Sequence, residues 1–307
     1  MGTTLTEYRP ADIRNIVLIG HSGAGKTTLA EAIAHRCGVI TRMGNIEEAN
    51  TVSDFEPEAR RHKHSTNSTV MFANFENREI NLIDTPGYPD FIGHALAAMP
   101  AVETAVVVVD ALRGVEYNTR RLFHAAGEMG LARMIVVNKL DAATDLPGLV
   151  AQLKATFGTP LHCINLPTAG GNDVVDCFDH DAGSTDFGDA AAIHAEMVEA
   201  VVEMDDARLE DYLAGKKVDP AELRSCFIKA MNAGHVIPIL FVSAKQEVGI
   251  DDQFMGLRIM GGAKGWIFFG EFEECGGNFG FIAAGFWRNS HGKHRCGKAR
   301  QNGVEVV

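Results

Sequence analysis

Along the chain, apolar residues gather into short runs separated by turn residues, and the runs are of two kinds. Residues 16–19, 70–75, 80–83, 105–109 and 134–137 are strand-length stretches rich in valine and isoleucine, while 27–36 and 119–129 repeat apolar positions at helical spacing. A strand that is apolar at every position, such as AVVVV at 105–109, is covered on both faces rather than on one. The alternation over 13–142 therefore predicts an α/β fold: a mostly parallel sheet with helices on both faces, with ligands outside the carboxyl ends of the strands.

Beyond residue 142 the rhythm loosens. PLHCINLP at 160–167 predicts a strand near a domain edge, and the acidic, loop-rich 170–191 predicts a small β insertion. Residues 195–215 and 219–234 read as two helices closed by glycine, with Asp219 capping the second and Pro220 at its first position. Residues 236–245 return as a buried strand. After about residue 250 the composition shifts: 251–307 hold 12 of the 32 glycines and both tryptophans, with no proline or threonine and one leucine. Neither a period of two nor of 3.6 organises WIFFGEFEECGGNFGFIAAGFW. This tail is either a glycine-rich β-unit or a sequence outside its native reading frame, and the missing periodicity favours the second. The units so predicted are 1–11, 12–250 and 251–307.

Charge and composition narrow the classes. A formal charge of −12 argues against broad nonspecific binding to nucleic acid, and no feature suggests sequence-specific DNA recognition. Six cysteines are scattered without a CxxC pair, which sets aside a zinc ribbon or dithiol chemistry and fits a reduced, cytoplasmic setting. No apolar run has the length of a membrane span, and the N-terminus lacks the apolar core of a secretory signal. Gly2 and Thr6 fit the short acylation pattern M-G-x-x-x-[ST], which ordinary polar tails also meet. A monomer is expected.

The strand at 16–19 runs into GHSGAGKTT: Gly20, His21, Ser22, Gly23, Ala24, Gly25, Lys26, Thr27 and Thr28. This is the G-x-x-x-x-G-K-[ST] pattern, in which backbone amides at a helix N-terminus cradle nucleotide phosphates. Lys26 adds a point charge and Thr27 a hydroxyl for Mg²⁺. A glycine-rich turn with a surface lysine is set aside because strand and helix flank the motif. The strand ending at Asp84 leads into Thr85, Pro86 and Gly87; a strand-end carboxylate can hold Mg²⁺ through water, and a glycine lets backbone approach a terminal phosphate. Asn138, Lys139 and Asp141 follow the strand at 134–137, where a carboxylate can accept both N1–H and N2–H₂ of guanine, a donor pair adenine lacks. Ser243, Ala244 and Lys245 end the last strand, placing an amide toward guanine O6.

These four motifs in this order resemble the G domain of the translational GTPases. DTPGYPDF and the long insertion before Ser243 look closest to elongation factor G. The resemblance covers about 12–250, makes 158–235 an inserted subdomain, and implies GTP/GDP and Mg²⁺ as ligands with the ribosome as partner. Two departures stand out. The family's catalytic histidine is replaced by Tyr88, as in some elongation factor G-like paralogues. A phenol titrates near pH 10 and is a poor substitute for imidazole in orienting water. The family's first switch, R-G-I-T-I, corresponds to HKHSTN, giving Ser65, or its neighbour Thr66, as the hydroxyl that meets Mg²⁺. His62 and His64 there read as a mobile polar loop rather than a metal site. No motif places an arginine for charge neutralisation, so acceleration would come from a partner. The resemblance thus implies a GTPase using Lys26, Gly87 and Tyr88. Rival readings are a GTP-dependent binding switch with little hydrolysis, or a truncated product without a role of its own.

Overall fold

The structure, a computed structural model, describes residues 8–9, 12–216, 218–250, 299–301 and 304–306. The acylation pattern at Gly2 and Thr6, and the aromatic, glycine-rich part of the tail, lie outside the described residues.

The first half alternates as the apolar pattern requires. Strand β1 (Ile13–Ile19) enters helix α1 (Lys26–Arg36); a short α2 (Pro57–His62) precedes β2 (Thr69–Phe75) and β3 (Arg78–Asp84). Then come α3 (Ile92–Ala98), β4 (Thr104–Asp110), α4 (Tyr117–Glu128), β5 (Ala132–Asn138) and α5 (Leu146–Phe157). The remainder is β6 (Leu161–Cys163), a hairpin of β7 (Asn165–Thr168) and β8 (Asp173–Asp176), helices α6 (Ala190–Val202), α7 (Asp206–Leu213) and α8 (Pro220–Asn232), and β9 (Ile237–Phe241). Two short strands, β10 (Ala299–Gln301) and β11 (Val304–Val306), complete the order, and Val306 pairs with Met71 at the edge of the sheet.

The sheet order is β10-β11-β2-β3-β1-β4-β5-β9-β6, with β3, β1, β4, β5, β9 and β6 mutually parallel. Period-two alternation sends Ile16, Leu18, Val106 and Val108 to one face, where α1, α6 and α8 cover them with Leu29, Ile33, Val201 and Phe227. Val17, Ile19, Val107 and Val109 point to the other, beneath α3, α4 and α5. Each such buried side chain contributes about 1.5–3 kcal/mol of burial free energy.

The sheet is mostly parallel, as expected, with antiparallel pairing at one edge, and one helix departs from the sequence expectation. β2 runs antiparallel to β3 because Glu76 and Asn77 both take positive φ (47° and 62°), a two-residue turn whose twist suits a hairpin. The helix expected over 195–215 is two helices. α6 ends at its cap Glu203, and Asp205 restarts the chain by accepting from the Arg208 amide at 3.4 Å. β6 joins the main sheet beside β9, while β7 and β8 form a separate sheet of two strands.

Glu31 is fully buried on α1. Its carboxylate accepts from the backbone amides of Gly44, at 2.6 Å, and Val52, tying down the loop that leads to Asp54. Glu31→Ala strands two amides, so it is expected to lower unfolding free energy by about 2–4 kcal/mol, read as a fall in the denaturant midpoint at constant slope.

Candidate functional site

Parallel strands end on one side of a sheet, so the loops after β1, β3, β4, β5 and β9 meet there. The loop after β1 opens directly into α1. Gly25 sits at the helix cap with φ 91°, and the first helical hydrogen bond runs from the Leu29 amide to the Gly25 carbonyl at 2.8 Å. The amides of Lys26, Thr27 and Thr28, ahead of that bond, therefore have no acceptor four residues back in the helix, and a helix N-terminus of this kind favours anions. A Cβ on Gly25 would overlap the Asn138 amide nitrogen, so the close approach of the two loops requires glycine.

Lys26 is buried, and its Nζ donates to the carbonyls of Gly20 (3.1 Å) and His21 (2.9 Å). Burial pulls its pKa down to about 8, against the opposing attraction of Asp84 and Glu116. Asp84, also buried, is pushed up to about 6 by desolvation, although the Thr27 hydroxyl donates to it at 2.7 Å and Lys26 attracts it. Thr85 anchors the following turn by donating to the Leu18 carbonyl at 2.6 Å. Gly87 lies against Lys26 and the His21 carbonyl so closely that a Cβ would collide with both.

Thr27 Oγ1 is 3.2 Å from Ser65 Oγ, which itself donates to Asp54 at 2.8 Å. The neighbouring Thr66 hydroxyl is buried without a hydrogen-bond partner and does not meet Thr27. Of these two hydroxyls, that of Ser65 is the one that meets Thr27. Asp84 Oδ1 is buried and unpartnered. An orphaned carboxylate oxygen beside two hydroxyls is a hard, all-oxygen donor set of the kind Mg²⁺ takes. Residues Thr27, Ser65 and Asp84 therefore fit that ion.

The base side is assembled through Asn138. Its Nδ2 donates to the Ala24 carbonyl and its Oδ1 accepts from the Ala244 amide, both at 3.0 Å, joining the phosphate loop to the last strand's loop. Ser243 donates to Asp141 at 2.5 Å, leaving that carboxylate exposed at the rim. Lys139 takes a left-handed φ of 69° and pairs with Asp110 at 2.6 Å. Burial opposes ionisation of Asp110, but Lys139 and the Leu112 amide hold its carboxyl below the usual range. Lys245 is exposed, and Ser22 and Thr28 are half-buried beside the loop.

Tyr88 is 40% exposed, and the His64 ring packs against it in a tilted arrangement with centroids 4.3 Å apart. Sequence reasoning missed Asp54, Asp110 and Glu31. Asp110 carries a signal in hindsight, an acid closing an otherwise apolar strand. Glu31 carries none, because its partners Gly44 and Val52 are distant in sequence, and Asp54, which bonds Thr51 and Ser65, belongs to no motif.

Residues 11–261 match the elongation factor Tu GTP-binding domain. An elongation factor G-like protein of Mycobacterium tuberculosis (strain ATCC 25618 / H37Rv) is 30% identical over 258 residues, covering 80% of this chain and 36% of that protein. Elongation factor G 2 of Syntrophus aciditrophicus (strain SB) is 30% identical, covering 79% of this chain and 39% of its own length. The tetracycline resistance protein TetM of Ureaplasma urealyticum is 28% identical over 78% of this chain and 36% of that protein. A crystal structure from Thermus thermophilus superposes with a TM-score of 0.75 at 33% identity, covering 82% of this chain and 41% of that one. The chain thus spans 36–39% of the length of these curated relatives.

Proposed function

Since the chain belongs to the elongation factor Tu GTP-binding domain family of the translational GTPases, we propose that it binds GTP with Mg²⁺, hydrolyses it to GDP and phosphate, and does so in contact with the ribosome in the cytoplasm. The observation that carries this reading is the bridge through Asn138, which makes one site of the phosphate loop and the base loops. A site in which the guanine-reading Asp141 is held by Ser243 and a phosphate cradle is fixed to it by a shared side chain is built for a guanine nucleotide.

Lys26 and the amides at the start of α1 would hold the β- and γ-phosphates. Thr27, Ser65 and Asp84 would hold Mg²⁺, which would supply neutralisation of phosphate charge. Gly87 brings backbone to the γ-phosphate, so loss of that group would release Gly87 and Ser65 together, the behaviour of a switch. Tyr88, next in sequence and half-exposed, is the group nearest to the water-orienting role, and it orients by hydrogen bonding rather than by taking a proton. Equilibrium binding of GTP, GDP and ATP tests the site: equal affinity for ATP and GTP would sink it.

Tyr88 also supports a second reading, a GTP-dependent binding switch with little hydrolysis. Single-turnover phosphate release with and without ribosomes separates the two, because strong ribosome stimulation contradicts the second. Under the first reading, Tyr88→His supplies an imidazole able to orient water at neutral pH. It is expected to raise the single-turnover rate about tenfold, with GTP affinity unchanged.

A further inference from the structure

The phosphate loop has a cation beside it that no motif announces. The chain after β4 makes a tight turn: the Gly114 amide donates to the Asp110 carbonyl at 2.8 Å, and the Leu112 amide donates to the Asp110 carboxylate at 2.8 Å. The same buried carboxylate pairs with Lys139 on the base side, so the turn is fixed to the site from two directions. The turn presents Arg113. Its Nη1 lies 3.7 Å from where a Cβ on Gly23 would stand, over the middle of the phosphate loop, and Gly23 has φ +80°. One carboxylate oxygen of Glu116 holds the arrangement: it is 3.9 Å from Arg113 Nη1 and 3.3 Å from Nε2 of His21, the second residue of the loop. The Arg113 side chain is 58% exposed. Its ion pair with Glu116 is long, so the guanidinium has donors left for another anion.

We propose that Arg113 is an intrinsic arginine finger, a catalytic residue whose guanidinium contacts the phosphates of bound GTP and neutralises charge as the γ-phosphoryl group transfers. The inference rests on the GTPase reading above. In that step a water oxygen forms a bond to the γ-phosphorus while the bond from γ-phosphorus to the β–γ bridging oxygen breaks. The electron pair of that bond stays on GDP, and the water proton passes to phosphate and solvent. The Arg113 guanidinium interacts most strongly where charge builds on the leaving oxygen. An arginine supplied in cis acts this way in other GTPases, with effects of about 10³-fold or more when it is fully sheltered. The exposure of Arg113 makes about a hundredfold effect the reasonable expectation, since solvent screens part of it.

The test compares wild type, Arg113→Ala and Arg113→Lys by single-turnover phosphate release from GTP, by GDP affinity, and by response of the GDP-bound protein to aluminium fluoride, a mimic of the transferring phosphoryl group. The expected result is a rate lower by about a hundredfold in Arg113→Ala, an intermediate rate in Arg113→Lys, GDP affinity within about threefold of wild type, and an aluminium fluoride response in wild type alone. A wild-type rate retained in Arg113→Ala overturns the inference and leaves the GTPase reading standing. So does a loss of GDP affinity as large as the loss of rate, which would make Arg113 a ground-state or structural contact. A wild type that hydrolyses no GTP, with or without ribosomes, and does not respond to aluminium fluoride overturns both.

Discussion

Asp141→Asn is expected to weaken binding of GTP and GDP by about 10³-fold and to shift preference to xanthine nucleotides. The wild-type carboxylate can accept two hydrogen bonds from guanine, and bonds to a charged acceptor are each worth about 1.5–3 kcal/mol. Losing the charge and turning one acceptor into a donor removes roughly 4 kcal/mol, which is about three decades in affinity. Xanthine carries a carbonyl where guanine carries its amine, so the side-chain amide introduced by the substitution would have a matching acceptor. The fold should not notice: Asp141 is exposed, and its side-chain contact with Ser243, at 2.5 Å, is open to an asparagine oxygen as well. Competition of GTP, ITP and XTP against a fluorescent GDP reads the result. Unchanged GTP affinity would show that the base is read elsewhere.

Lys26→Met is expected to act on function and stability in opposite directions. It should lower GTP affinity by about 10³-fold, because the charge-assisted contacts the ammonium would make to phosphate are lost. In the nucleotide-free protein the same ammonium is held against its preference. Burial brings its pKa from 10.5 to about 8, and the carbonyls of Gly20 and His21 stand in for water around it. A lysine whose folded pKa lies below its unfolded value destabilises most at pH below the folded value, and that penalty fades as pH rises from about 8 through 10.5. The methionine variant should therefore be more stable than wild type at pH 7 by about 1–3 kcal/mol, and the gap should close by about pH 10.5. Thermal unfolding without nucleotide at the two pH values checks both the sign and the window.

Much of the site was legible because its chemistry is local. The phosphate loop, Asp84 to Gly87, Asn138 to Asp141 and Ser243 to Lys245 are each contiguous, and each follows an apolar strand. A parallel sheet must bring such loops to one edge, so order along the chain was enough to propose that they meet. The expected helix over 195–215 was divided because its break depends on a cap by Asp205, which interrupts an otherwise continuous period. The antiparallel pairing of β2 with β3 carries no strong sequence signal, because Glu76 and Asn77 are not the glycine-containing pair that usually marks positive φ.

Ligand class, sheet and the four loops could all be read from the order of residues, since backbone geometry and apolar periodicity act over a few positions. Folding was needed to assign the partners of the charged and hydroxyl groups. Ser65 rather than Thr66 faces Thr27, Glu31 holds the loop at Gly44 and Val52, Asp110 takes Lys139, and Arg113 reaches Gly23. Each of these contacts joins segments well separated in sequence. Their energies come from desolvation and pairing inside the assembled fold, and no local spacing encodes where a buried charge will find its opposite.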